Sequence, residues 1–241
     1  MEHDLKKDIT KGISWNLIET IVVYVIRFCV GVILARLLMP SDFGLISMVA
    51  IFISISDIFV QAGFSQAFIR KQDATDLDAN TVFYLNLAIG VLMYLILFFS
   101  APLISSFFSQ PELVNIVRIL GLSVVIYSFN VIQFSMIRKY FQFKRKACLV
   151  ISASIISGCV AVFCAYKGLG VWSLVIDQLL KALLMCVGYY FTSSWRPSFS
   201  FSSESAKSMF SYGSWLLLSD LFATLMNNFY RISIGKLYTS S

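Results

Sequence analysis

Charge is what this sequence has least of. Only 13% of its 241 residues are Asp, Glu, Lys or Arg, against 58% hydrophobic, and its mean hydropathy is +0.80. A soluble domain carries about a quarter charged residues, so that class is excluded and an integral membrane protein is indicated. The lone histidine, His3, lies in the charged leader and carries no functional reading. The five cysteines, Cys29, Cys148, Cys159, Cys164 and Cys186, have spacings that fit neither a zinc site nor a secreted disulfide framework, and packing inside helices is expected of them. Every loop is short, which leaves no room for a catalytic domain. No small-residue cleavage site follows the first apolar run, so the first helix is expected to stay as an anchor.

What the chain does have is apolar runs near twenty residues, the length a bilayer core of about 30 Å demands of a helix. Seven occur: Ile13–Leu34, Phe43–Phe64, Val82–Ile104, Leu113–Phe134, Ala147–Tyr166, Val171–Phe191 and Phe210–Ile234. The expected fold is all-α, a polytopic transmembrane bundle with a six-helix N-lobe and the first helix of a second lobe. Residues 1–195 form the first lobe in this reading. A serine-rich linker covers 196–208, and the second lobe starts at 209.

Alternating the loops puts twelve of the nineteen basic residues on one side of the membrane, among them Arg70, Lys71, Arg138, Lys139, Lys144, Arg145 and Lys146. The other side has Arg36, Arg118, Lys167 and Lys236. By the positive-inside rule the N-terminus is cytoplasmic. The net charge of +6 is then a matter of topology, and no nucleic-acid partner is expected.

The opening pattern returns at an offset of 200 positions. Lys7 matches Lys207, Ser14-Trp15 matches Ser214-Trp215, Leu17 matches Leu217, Leu37 matches Leu237 and Ser41 matches Ser241. One ungapped register indicates an internal duplication. The second copy breaks off at Ser241, so the expectation is the first half of a longer, two-lobed protein.

Between the first two spans, Ala35-Arg36-Leu37-Leu38-Met39-Pro40-Ser41-Asp42-Phe43-Gly44-Leu45 makes a turn too short to lead anywhere but back. Pro40 is expected to force an extended entry, with Ser41 or Asp42 capping the next helix. This turn, with Ala62-Gly63-Phe64, Phe68-Ile69-Arg70-Lys71, Thr81-Val82-Phe83-Tyr84-Leu85-Asn86 and the basic-aromatic run Arg138 to Lys144, resembles the Wzx-type polysaccharide transporters, close to the colanic-acid-exporter-like subgroup of the multidrug/oligosaccharidyl-lipid/polysaccharide exporter (MOP) superfamily. The resemblance runs from about Ile9 to Ser241. It implies a bacterial inner-membrane flippase for an undecaprenyl-diphosphate-linked oligosaccharide, working by alternating access between two lobes. Partners would be membrane lipid, the lipid-linked glycan and other polysaccharide-assembly proteins, with no cofactor and no metal.

Polar residues inside spans are costly and face a cavity or a partner helix. At about 100° per residue, Asn16, Thr20, Tyr24 and Arg27 share one sector of the first span. Ser47, Ser54, Asp57, Gln61 and Ser65 share one of the second, and Asp220, Thr224, Asn227 and Arg231 one of the seventh. The first and last stripes correspond under the 200 offset, so duplicated lobes would turn them toward a shared cleft. Arg27 is the leading candidate to hold a diphosphate, since a guanidinium matches phosphate with forked donors; Arg231 either joins it or snorkels to the interface. Asp177 and Lys181, four apart, read either as a packing ion pair or as part of a coupling network. Glu19, near Arg27, is open to the same two readings. Asp76-Leu77-Asp78 has the spacing of a metal-binding acidic pair, but a loop that caps the next helix explains it better. Ser154-x-x-x-Gly158, flanked by Ala153 and Ser157, marks a face that packs on a neighbouring helix. Alternatives to the flippase are an organic-cation antiporter of the same superfamily, a membrane glycosyl-transfer enzyme and an accessory subunit of a glycan assembly complex.

Overall fold

The computed structural model describes residues 2–61, 64–71, 73–139, 142–193, 195–210, 217–224 and 226, with side chains at position 12 and from 14 onward. Among these residues there is no strand. Seven helices follow in order: α1 (Glu2–Leu37), α2 (Pro40–Gln61), α3 (Phe64–Arg70), α4 (Asp76–Phe108), α5 (Leu113–Lys139), α6 (Phe143–Tyr166) and α7 (Trp172–Thr192). Six stretches are long and apolar enough to cross a bilayer: Ser14–Leu37, Pro40–Arg70, Asp76–Phe108, Leu113–Lys139, Phe143–Tyr166 and Trp172–Thr192. They coincide with the first six expected spans. Of the seventh, Phe210–Ile234, residues 217–224 are helical and most of the remainder lies outside the described residues.

The helix ends follow local chemistry. Pro40 is the first residue of α2, where a fixed φ and a missing N–H cost nothing, and Asp42 in the first turn faces the positive end of the helix dipole. Thr75 caps α4: its hydroxyl accepts from the Asp78 amide at 3.3 Å, while the Asp78 carboxylate accepts from the Thr75 amide at 3.0 Å. This reciprocal box satisfies two orphan donors. The α6–α7 turn uses positive φ at Gly168 (81°) and Gly170 (54°), which side chains resist.

The chain forms two compact units. One combines Met1–Met39 with Gln133–Arg196, and the other combines Pro40–Ile132 with Pro197–Ser241. In the first unit α6 packs on both α1 and α7. The contact face of α6 is Ala153, Ser154, Ser157, Gly158, Ala161 and Ala165, all buried. A Cβ on Gly158 would stand 2.7 Å from Val30 Cγ2 of α1, and one on Gly188 of α7 would stand 2.6 Å from Leu149 Cδ2. Lipid offers no hydrophobic drive between helices, so such close approach, with its dispersion contacts, holds them together. The small-residue face read from the sequence therefore packs as expected, with α1 as its neighbour.

In the second unit α2 and α3 pack on α4. The α4–α5 contact is again glycine-mediated, with Gly90 against Ser128 and Gly121 against the Tyr94 ring. Phe83 meets Phe129 edge-to-face, and the Arg118 guanidinium lies 4.4 Å from the centroid of the Phe98 ring. The cysteines depart from the expectation of interior packing. Cys29 of α1 and Cys148 and Cys159 of α6 are exposed on helix surfaces; on α6 the inward positions are taken by residues as small or smaller.

Candidate functional site

α1 is the helix whose polar face is least explained by packing. Asn16, Thr20, Tyr24 and Arg27 are all exposed, with Tyr24 67% accessible, as their shared sector requires. Thr20 donates to the Asn16 carbonyl at 2.7 Å, which quiets its hydroxyl within the helix. Arg27 is exposed, and Asn16 reaches Lys146 of α6.

Glu19, on the inward side of α1, is buried. Its partner is Lys146 of α6, whose ammonium stands 2.9 Å from Glu19 Oε1 and 3.5 Å from Asn16 Oδ1. Lys146 also lies 5.5 Å from the centroid of the Phe134 ring. The other carboxylate oxygen, Oε2, is buried with no hydrogen-bond partner. The sequence placed Glu19 near Arg27, whereas the cation that closes on it is Lys146. Burying a carboxylate demands a counter-charge, and that demand was the only sequence-level pointer to a second residue here.

Deeper in the same unit, Lys181 of α7 interacts electrostatically with both Arg27 of α1 and Asp177 one turn back. Asp177 and Lys181 attract each other without closing to ion-pair distance, and neither belongs to an ion pair among the described residues. Lys181 thus has one cationic and one anionic neighbour.

In the second unit Asp57 is half-buried on α2, Gln61 is exposed at the end of α2, and Asp220 is exposed in the helical stretch 217–224. Asn227 and Arg231 lie outside the described residues. Asn86 on α4 went unremarked as a site residue, yet it is fully buried and both its amide atoms lack hydrogen-bond partners.

Asp78 belongs to a docking site for the linker rather than to a metal pair. It pairs with Lys71 at 2.7 Å, closes the Thr75 capping box and hydrogen-bonds Ser205. Beside it, buried Asn80 donates to Ser198 Oγ (2.7 Å) and Ser200 Oγ (2.8 Å) and accepts from the Ser198 amide (3.0 Å). Thr81 accepts from the Ser202 amide at 3.0 Å, and Phe199 stacks on Tyr84. The serine-rich stretch is strapped to the start of α4.

These helices, long enough to span a bilayer and carrying a buried ion pair and an exposed polar stripe, define a multi-pass membrane protein. Its fold is shared with the MATE transporters: the chain matches the structure of MATE in complex with MaD5 with a TM-score of 0.60 and 20% identity, over 91% of this chain and 56% of that one. An inward-facing multidrug resistance MATE transporter of the MOP superfamily matches with a TM-score of 0.56 and 19% identity, over 83% of this chain and 52% of that one. Residues 33–241 match the model of a polysaccharide biosynthesis protein family, and the chain belongs to that family. It is 27% identical over 209 residues to the succinoglycan biosynthesis transport protein ExoT of Rhizobium meliloti (strain 1021), covering 86% of this chain and 42% of ExoT. It is 28% identical over 234 residues to the teichuronic acid biosynthesis protein TuaB of Bacillus subtilis (strain 168), covering 96% and 48%. With the lipopolysaccharide biosynthesis protein WzxC of Escherichia coli (strain K12) it shares 20% identity over 239 residues, covering 97% and 48%. The chain spans about half the length of these relatives.

Proposed function

We propose that this chain takes part in flipping an undecaprenyl-diphosphate-linked oligosaccharide outward across the bacterial inner membrane, for cell-surface polysaccharide synthesis. The N-terminus is cytoplasmic in this reading. Residues 1–195 act as one lobe, 196–208 as the inter-lobe linker, and a second lobe starts at 209. The relatives named for succinoglycan biosynthesis transport, teichuronic acid biosynthesis and lipopolysaccharide biosynthesis, with the polysaccharide biosynthesis family, support the substrate class.

The observation that carries the proposal is the exposed polar sector of α1, Asn16, Thr20, Tyr24 and Arg27, with Lys181 of α7 near enough to Arg27 to feel its charge. A crossing diphosphate needs cations that hold it reversibly, and arginine does so with forked donors. The exposed stripe Asn16, Thr20, Tyr24 then offers hydrogen bonds to sugar hydroxyls along the same face of α1. Glu19, Asp177 and Lys181 are the candidates for an ion-pair or coupling role beside that path. Asp57, Gln61, Asp220, Asn227 and Arg231 remain candidates from the sequence alone. Membrane-enzyme chemistry has less support, because Asp78 is spent on the cap, Lys71 and the linker.

Complementation tests this directly. In cells lacking the gene, the Arg27→Ala protein should restore less than a tenth of the surface glycan, with lipid-linked repeat units accumulating in the cytoplasmic leaflet. Wild-type output from that variant, at normal protein level, contradicts the proposal.

A further inference from the structure

The stretch from Arg138 to Lys146 holds five cations and no acidic residue. Its topological role needs only their number on one side of the membrane, whereas the structure gives them a specific arrangement. Lys146 is consumed by Glu19. Arg138, at the end of α5, and Lys144 and Arg145, in the first turn of α6, are exposed. Among the described residues no carboxylate closes on any of these three, and the first turn of α6 contains no acid. Lys144 lies 5.6 Å from the centroid of the Trp15 ring on α1, and Arg138 lies 5.6 Å from the centroid of the Phe134 ring. Arg145 is steadied by Gln142 Oε1 at 3.2 Å.

Two helix ends thus present basic heads, Arg138 and Lys144 over aromatic rings and Arg145 beside them, at the level where apolar span gives way to polar loop. Aromatic rings and basic heads at that level are the usual furniture of the headgroup region. Beside Trp15, the exposed Leu17, Ile18 and Ile21 of α1 (57%, 46% and 62% accessible) offer an apolar strip in the direction an acyl chain would run. Cations with no counter-charge among the described residues, joined to such a strip, match an anionic amphiphile.

We infer that Arg138, Lys144 and Arg145, with Trp15 and Phe134, form a binding site for the headgroup phosphate of an anionic phospholipid. The site holds the α5–α6 end of this unit against the basic-facing leaflet. It stands whether or not the protein moves glycans, because it lies at the helix ends and shares no residue with the Arg27–Lys181 pair. A juxtamembrane cation contributes severalfold to the partition onto an anionic surface, so three together contribute roughly a hundredfold.

The test is native mass spectrometry of the full-length gene product exchanged from nanodiscs containing equal phosphatidylglycerol and phosphatidylcholine. The wild-type protein should retain phosphatidylglycerol selectively. The Arg138→Gln, Lys144→Gln, Arg145→Gln triple variant should lose that preference, and the charge-keeping triple Arg138→Lys, Lys144→Arg, Arg145→Lys should keep it. The Arg36→Gln, Lys167→Gln variant, altered on the opposite side, should behave as wild type. Equal retention of the two lipids by wild type, or undiminished preference in the glutamine triple, overturns the inference. It is also overturned if stoichiometric farnesyl diphosphate strips the phosphatidylglycerol, which would assign the cluster to a polyprenyl diphosphate instead.

Discussion

Lys146 of α6 holds Glu19 of α1 at 2.9 Å, with 15% and 10% of the two side chains accessible. The pair welds the start of one span to the start of another through groups that neither helix could bury alone. Removing one partner leaves the other charge uncompensated, which costs roughly 3 kcal/mol or more, while removing both is far milder. Lys146→Ala and Glu19→Ala should each lower the thermal midpoint in detergent by several degrees, and the double variant should recover much of the loss. Additive losses would show that the pair carries no coupling.

Asn80 uses three of its amide's four hydrogen-bonding positions on the linker, in bonds to Ser198 and Ser200. Each is worth about 1 kcal/mol net, enough together to keep 197–202 docked. Asn80→Ala should make this stretch roughly tenfold more sensitive to limited proteolysis, with cleavage at the α6–α7 turn unchanged. Equal protection of the linker in the variant would mean that Thr81 and the Tyr84–Phe199 stack suffice.

Gly158 sits where a methyl group would press on Val30, a stiff β-branched side chain. Overpacking of this kind costs about 1–3 kcal/mol. Gly158→Ala should therefore destabilise the first unit, and Val30→Ala in the same protein should restore it. A Gly158→Ala protein as stable as wild type would show that α1 and α6 yield more easily than this contact implies.

Much of this architecture was legible in the residues. The six spans were set by apolar length, the α6 face by small residues four apart, and the acidic stretch before α4 by its capping chemistry. The polar sector of α1 also followed from helical angle alone. What escaped was pairing at long range. Nothing local to Glu19 points to Lys146, which in the sequence is one basic loop residue among several. Nor does Asn80 announce that its partners are serines more than a hundred positions away. Exposure of the cysteines was missed for a related reason: which face of a helix turns inward depends on the neighbour it meets.

The central claim rests on Arg27 and Lys181 as the cations that hold a crossing diphosphate. Its most direct test is a vesicle assay with the full-length gene product and a fluorescent lipid-linked glycan, scored by quencher access to the outer leaflet. Wild-type protein should speed flipping well above the protein-free rate. Arg27→Ala with Lys181→Ala should fall to background, and Arg27→Lys should retain part of the activity. Undiminished flipping by the doubly substituted protein would contradict the account.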